Sequence, residues 1–273
     1  MALLEVSGLT VATHDDRAPA LVKGVSFSIE AGEIVGVVGA SGSGKTLTAL
    51  AVAQLLPRTL DVDAHSLVFD GVDLMESTDT ERAEVLGGQL AMVFQDPLSS
   101  LNPVRHIGSQ MIESVRRHRG LSKREALQLA ETCLADVGMV DPAGCLKKHP
   151  HELSGGMRQR VMIAMGLMGD PRLIVADEPT TALDVTVQAQ VIDLIVKINR
   201  ERGTAVMFVS HNIALLSEFC SRILVMREGK IVEDLSTDAL LAGASHPYTR
   251  ALIRAVPNLT TDRDRELATV DDL

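Results

Sequence analysis

Apolar residues along this chain follow two rhythms, and the switches between them mark the elements. Leu3 to Val6 is short and apolar, and Val25, Phe27 and Ile29 alternate with Ser26 and Ser28. That two-residue period predicts half-buried strands. Ala31-Gly32-Glu33 reads as a turn. Ile34 to Val38 is unbroken apolar, as a strand buried on both faces would be. A glycine-rich loop follows, then a predicted helix from about Lys45 to Leu56, and a further strand over Leu90 to Phe94.

From about 96 to 152 the rhythm turns helical. Ser122-Lys123-Arg124-Glu125 is a capping-box pattern. Behind it Ala126, Leu127, Leu129, Ala130, Cys133, Leu134 and Val137 recur at helical spacing. This stretch reads as a helical insertion in an α/β core. After Gly156 a helix is predicted to about Met168, then a buried strand over Leu173 to Ala176. Val185 to Arg202 predicts a long helix burying Val191, Ile192, Leu194, Ile195 and Ile198. Ala205 to Val209 is a strand, and Ile223–Met226 with Lys230–Val232 a hairpin across Glu228-Gly229. Strands alternating with helices imply a largely parallel sheet. Thr260 to Leu273 is acidic, weakly patterned and read as a flexible tail.

Composition narrows the classes. The 273 residues allow one large domain or a domain with a subdomain. Aromatics are 2%, with no Trp and one Tyr, so the core must come from Val, Leu, Ile, Ala and Met. A net charge of −10 argues against nucleic acid as a partner, because phosphate backbones need Lys and Arg. It leaves room for a single nucleotide, which local amides and one lysine can hold. Cys133, Cys145 and Cys220 are odd in number and widely spaced, which suits a reducing compartment rather than a disulfide framework. No basic start with an apolar run opens the chain, so no signal peptide is expected. No stretch approaches the ~18 apolar residues of a membrane span, so any membrane link is expected through another protein.

The chemistry begins at Gly39-Ala40-Ser41-Gly42-Ser43-Gly44-Lys45-Thr46, which fits G-x-x-x-x-G-K-[ST] between a predicted strand and a predicted helix. Glycines let the backbone close around a phosphate with amides pointing inward, and the helix N-terminus adds positive partial charge. Lys45 would neutralise the outer phosphates, and the Thr46 hydroxyl would hold Mg2+. Without that context the pattern would read as a flexible turn. Leu173 to Ala176 ends in Asp177-Glu178, at the strand edge where ligands of such sheets bind. Asp177 is placed to hold the metal and Glu178 to polarise an attacking water, the positioning that phosphoryl transfer needs. A plain helix cap would be the alternative for the two acids alone.

Leu153-Ser154-Gly155-Gly156-Met157-Arg158-Gln159-Arg160 resembles the LSGGQ signature of ABC ATPases, with Met157 where that motif has Gln. Gln95 resembles that family's Q-loop glutamine, a further ligand to the Mg2+. Asp184 resembles its D-loop aspartate, and His211 its switch histidine. The motifs come in the family's order over about 1–257. The resemblance implies an α/β fold: a P-loop NTPase core with a mostly parallel sheet, an N-terminal antiparallel β subdomain and an inserted helical subdomain. It implies one ATPase domain over 1–257, with core at 1–95 and 153–235, the insertion at 96–152, terminal helices at 236–257, and the tail at 258–273. It implies ATP and Mg2+ as ligands. It also implies a head-to-tail pair in which Ser154, Gly155 and Gly156 touch the nucleotide held by the other chain's loop. Glu178, His211, Gln95 and Lys45 would serve hydrolysis. Where the family stacks adenine on an aromatic ring, Val11-Ala12-Thr13-His14 offers only His14.

Phe94-Gln95-Asp96-Pro97 running to Ser100-Leu101-Asn102-Pro103, Val185 to Gln190, and His246-Pro247-Tyr248-Thr249-Arg250-Ala251-Leu252 followed by Pro257 resemble the peptide/nickel importers. That implies two transmembrane permease subunits, a second ATPase subunit (related or identical), an extracytoplasmic binding protein acting indirectly, and a peripheral place on the cytoplasmic face of the inner membrane. With no cysteine after Cys220, no iron–sulfur cluster is expected. The basic run Arg116, Arg117, His118, Arg119, Lys123 and Arg124 reads as a solvated helix end, with contact to membrane subunits or headgroups as the alternative. A non-transport ABC ATPase of DNA repair or the ribosome is the competing function. It usually carries a coiled-coil insertion or tandem units, neither of which the pattern shows.

Overall fold

A computed structural model of the chain describes residues 2–255 apart from 16 and 182. The predicted acidic tail and Pro257 lie outside the described residues. The chain forms two compact units, one from the described residues through Met75 and from Met207 on, the other Glu76–Val206.

The first unit opens with β1 (Ala2–Thr13), β2 (Val22–Glu30), β3 (Ile34–Val38), α1 (Lys45–Val52), β4 (Leu60–Asp63), β5 (Ser66–Phe69) and β6 (Val72–Asp73). β1 is the spine of an antiparallel sheet ordered β2-β1-β5-β6, with β4 also on β1. Leu4 opposes Ile29 and Phe69, and Val6 opposes Phe27 and Leu67, all buried. β1 runs well past the expected Leu3–Val6. Its buried positions step from Leu4 and Val6 to Leu9 and Val11, so the parity changes midway. The register shifts between Val6 and Leu9, around Gly8 at φ 66°. A bulge adds one residue to a strand and flips which positions face inward. Simple alternation therefore loses the strand at that point.

The second unit contains α2 (Asp79–Glu84), a π-helical turn at Val85–Gln89, β7 (Leu90–Val93), α3 (Pro97–Ser100), α4 (Ile107–His118), α5 (Lys123–Asp136) and α6 (Pro142–Cys145). A short turn at Pro150–Glu152, α7 (Gly155–Leu167), β8 (Leu173–Asp177) and α8 (Val185–Arg202) follow. β7 and β8 pair in parallel, Leu90 opposite Leu173 and Val93 opposite Ala176. The capping box at the head of α5 forms as the sequence predicts. Ser122 Oγ accepts from Glu125 N–H at 3.3 Å, and Glu125 Oε2 accepts from Ser122 N–H at 2.9 Å. The Ser122 side chain first, and its backbone N–H second, hold the Glu125 carboxyl below the usual carboxylate range. Behind the cap, Ala126, Ala130, Cys133 and Leu134 are buried, one helical stripe.

β9 (Ala205–Ser210) leads back into the first unit, which closes with α9 (Ile213–Ser217), β10 (Arg222–Arg227), β11 (Lys230–Ser236), α10 (Thr237–Gly243) and α11 (Pro247–Arg254). β10 lies parallel to β3, Ile223 opposite Gly36 and Val225 opposite Val38. β10 and β11 form the expected hairpin, with φ of 50° and 82° at Glu228 and Gly229. Two-residue hairpin turns favour such positive angles because their twist matches that of the strands. Every residue of β3 is buried, as its apolar run predicts. Among the described residues no helix is long and apolar enough to cross a membrane.

Candidate functional site

The first unit carries the Gly39–Thr46 loop that the sequence expects to cradle phosphate. β3 stops at Val38, and the chain enters α1 through Gly39–Gly44, with Gly42 and Gly44 at φ 77° and 99°. Gly39 is required for a different reason. A Cβ there would lie 2.2 Å from the Met226 carbonyl oxygen and 2.6 Å from Ser43 Oγ. No side chain fits, so the loop can hug β10 only with glycine at this position. Lys45 is 5% exposed, and its ammonium donates to the carbonyls of Gly39 at 2.9 Å and Ala40 at 3.0 Å. Ala40, Ser41, Gly42 and Thr46 are exposed. A buried ammonium behind an open rim at a helix N-terminus matches a polyphosphate in charge and shape. The Ala40 N–H donates to the Tyr248 hydroxyl at 2.9 Å, a contact that no motif announces.

His211 stands exposed just past β9, before Asn212, whose side chain caps α9 by accepting from Leu215 N–H at 3.1 Å. His14, also in the first unit, is held at both ring nitrogens. Nδ1 meets Asp61 Oδ2 at 2.9 Å and Nε2 meets the Arg58 carbonyl at 2.8 Å. The Arg58 carbonyl first, then the Asp61 carboxylate, raise its pKa.

The second unit gathers the acidic and signature residues. Asp177 ends β8 and is 5% exposed. Glu178 follows at φ 44°, a left-handed turn that a non-glycine residue adopts at a cost. Its Oε2 accepts from Gln95 Nε2 at 3.3 Å and from Thr181 Oγ1 at 2.8 Å. Gln95 and Glu178 are thus brought together from 83 positions apart in the sequence. Thr181 is an addition that the motif reading lacked, and its place three residues after the carboxylate was the available hint. Asp184 caps α8, accepting from Val187 N–H at 3.0 Å. Ser154 caps α7, its Oγ accepting from Met157 N–H at 3.4 Å while keeping its own proton to donate. A Cβ on Gly156 would sit 2.6 Å from Val187 Cγ1, so this glycine lets the signature turn pack on α8. Just ahead, Glu152 Oε2 accepts from His149 N–H at 2.7 Å and braces the turn that leads into Ser154.

In the first unit the Thr46 hydroxyl, and in the second the Asp177 carboxylate and the Gln95 amide, each offer oxygen donors of the kind that Mg2+ prefers, and the buried Lys45 ammonium suits the charge of a nucleotide triphosphate.

The sequence profile of a family described as "ABC transporter" matches residues 22–181. The dipeptide transport ATP-binding protein DppD of Escherichia coli K12 is 44% identical over 266 residues, 97% of this chain and 81% of that protein. The probable peptide ABC transporter ATP-binding protein y4tR of Sinorhizobium fredii is 46% identical over 269 residues, 97% of this chain and 80% of that one. Among solved structures, the dimeric post-hydrolysis state of the ATP-binding cassette MJ0796 bound to ADP and Pi superposes with a TM-score of 0.75. It is 26% identical and covers 86% of this chain and 98% of that one.

Proposed function

Because this chain belongs to the ABC transporter family, we propose that it is the ATP-hydrolysing subunit of an importer for peptides or a related small solute such as nickel. The observation that carries the reading is the build of Gly39–Thr46. Its first glycine cannot bear a side chain, and its lysine is buried behind the exposed residues Ala40, Ser41 and Gly42. Likeness along nearly the whole chain to peptide-transport ATPases supplies the cargo class and argues against a DNA-repair or ribosomal role.

In this reading Gly39, Ala40, Ser41, Gly42, Ser43 and Gly44 wrap the phosphates, and Lys45 neutralises them. Thr46, Asp177 and Gln95 are the residues that would hold Mg2+, which would supply positive charge to the reaction. Glu178 takes a proton from the attacking water, and His211 holds the terminal phosphate. Thr181 and Gln95 fix the Glu178 carboxylate by its Oε2. Ser154, Gly155 and Gly156, with Asp184, face the nucleotide of a second ATPase subunit. His14 lies against the adenine. The pair drives two permease subunits from the cytoplasmic face of the inner membrane, fed by an extracytoplasmic binding protein.

The test is purification of tagged chain from detergent-solubilised membranes, followed by reconstitution of the recovered complex. Two permease-like chains, a second ATPase and ATP-dependent uptake of labelled dipeptide or nickel are expected. Recovery with ribosomes or DNA, and without permeases, would overturn the transport reading.

A further inference from the structure

The chain has one tyrosine and no tryptophan. That tyrosine is 2% exposed and lies beside the cradle, its hydroxyl 2.9 Å from the Ala40 nitrogen. The Ala40 N–H and the Gly39 carbonyl belong to one planar peptide. The carbonyl end of that plane receives the Lys45 ammonium at 2.9 Å. One rigid unit is therefore gripped by Tyr248 at its N–H end and by Lys45 at its carbonyl end.

Tyr248 is itself delivered by a clamp. It sits in the first turn of α11, where His246 Nδ1 accepts from its N–H at 3.2 Å. Glu233 Oε1, on β11, accepts from Ser245 N–H at 2.8 Å, Ser245 Oγ at 2.7 Å and His246 N–H at 3.1 Å. Burial works to raise the Glu233 carboxyl, and the donors on Ser245 and His246 help to outweigh it and hold it below the usual carboxylate range. From the other side the Arg227 guanidinium covers the tyrosine ring, 5.1 Å from its centroid. These contacts lock the ring while the hydroxyl reaches the loop.

We propose that Tyr248 is a positioning residue for nucleotide binding: by holding the N–H of the Gly39–Ala40 peptide it aims the carbonyl from which the Lys45 ammonium reaches the phosphates. The inference rests on Gly39–Thr46 being the ATP cradle. Tyr248 touches no phosphate and acts through the loop. With phenylalanine at 248 the ring and its packing stay, the Ala40 N–H loses its fixed partner, and the peptide is free to rotate about its flanking bonds. The lysine then spends part of its time off register, and preorganisation for phosphate is lost.

The experiment is a titration of radiolabelled ATP with Mg2+ into wild type and Tyr248→Phe, with thermal unfolding of both. Affinity should fall about threefold to tenfold, the worth of one fixed hydrogen bond, while the melting temperature stays close to wild type. Equal affinities would overturn the proposal. Failure of the wild type itself to bind ATP would instead overturn the cradle. A second readout needs no variant. Tyr248 is the sole tyrosine, so the intrinsic emission of the wild type reports the surroundings of this one residue, and saturating ATP should change it. ATP binding with no change in that emission would refute the coupling, whatever the variant's stability.

Discussion

Replacing Glu178 by glutamine separates chemistry from structure at this site. The change keeps the shape of the side chain and removes only its charge and its capacity to take a proton. In the folded chain the carboxylate accepts from Thr181 Oγ1 at 2.8 Å and Gln95 Nε2 at 3.3 Å. A glutamine oxygen can accept both bonds, and they become neutral rather than charge-assisted. The loss is then a fraction of two hydrogen bonds, about 1 kcal/mol or less of stability. The left-handed backbone at φ 44° is equally open to glutamine. ATP affinity should stay within a few fold of wild type, since Glu178 is assigned to the water and not to the phosphates. The hydrolytic step should slow by about two to four orders of magnitude, the usual worth of a positioned general base. The assay is single-turnover phosphate release from pre-bound ATP, beside equilibrium ATP binding and thermal unfolding. Release within tenfold of the wild-type rate would refute the assigned proton transfer. A matching loss of ATP affinity would show that Glu178 supports the nucleotide and not the water.

Other predictions follow from the same contacts. Gly39→Ala drives a Cβ to 2.2 Å from the Met226 carbonyl oxygen, so the loop must shift; about 1–3 kcal/mol of stability should be lost in urea unfolding, with ATP affinity lost alongside. An unchanged midpoint would mean that the loop sits farther from β10. Gln159 is fully buried with neither amide atom hydrogen-bonded. Gln159→Met should therefore stabilise the chain by about 1–3 kcal/mol, and a loss of stability in the same melts would reveal a partner for the amide. The Glu125 carboxyl is held below its usual range by Ser122, so its contribution is present at neutral pH and fades as pH falls through the lowered folded value. Glu125→Gln should then lower the melting temperature at neutral pH, with the gap to wild type closing in acid; a gap that does not depend on pH would contradict the assignment. Burial pushes the Cys133 thiol up to about 11 and the Cys145 and Cys220 thiols upward as well. All three should react slowly with a thiol reagent until the chain is denatured, and a fast native phase would count against this packing.

Much of this protein is local and so was legible in the sequence. The β3 run, the Gly39–Thr46 loop, the α5 capping box, the α8 stripe and the Glu228-Gly229 hairpin each depend on residues a few positions apart, where period, cap and turn chemistry act directly. The order of motifs was enough to suggest the family. The full length of β1 was not legible, because the bulge at Gly8 changes which face its side chains take. The strands from Leu60 to Asp73 were also missed; they are short, and it is pairing of β4 and β5 with β1, and of β6 with β5, that makes them strands. At the site, sequence supplied the residue types, while tertiary structure alone decided their neighbours. It put the Met226 carbonyl where only Gly39 fits, Val187 against Gly156, Thr181 and Gln95 on one oxygen of Glu178, and the Tyr248 hydroxyl on Ala40. Several of these join residues far apart in the chain, Ala40 and Tyr248 the farthest. A sequence pattern carries no sign of such a contact, because its energy arises only when packing closes the distance.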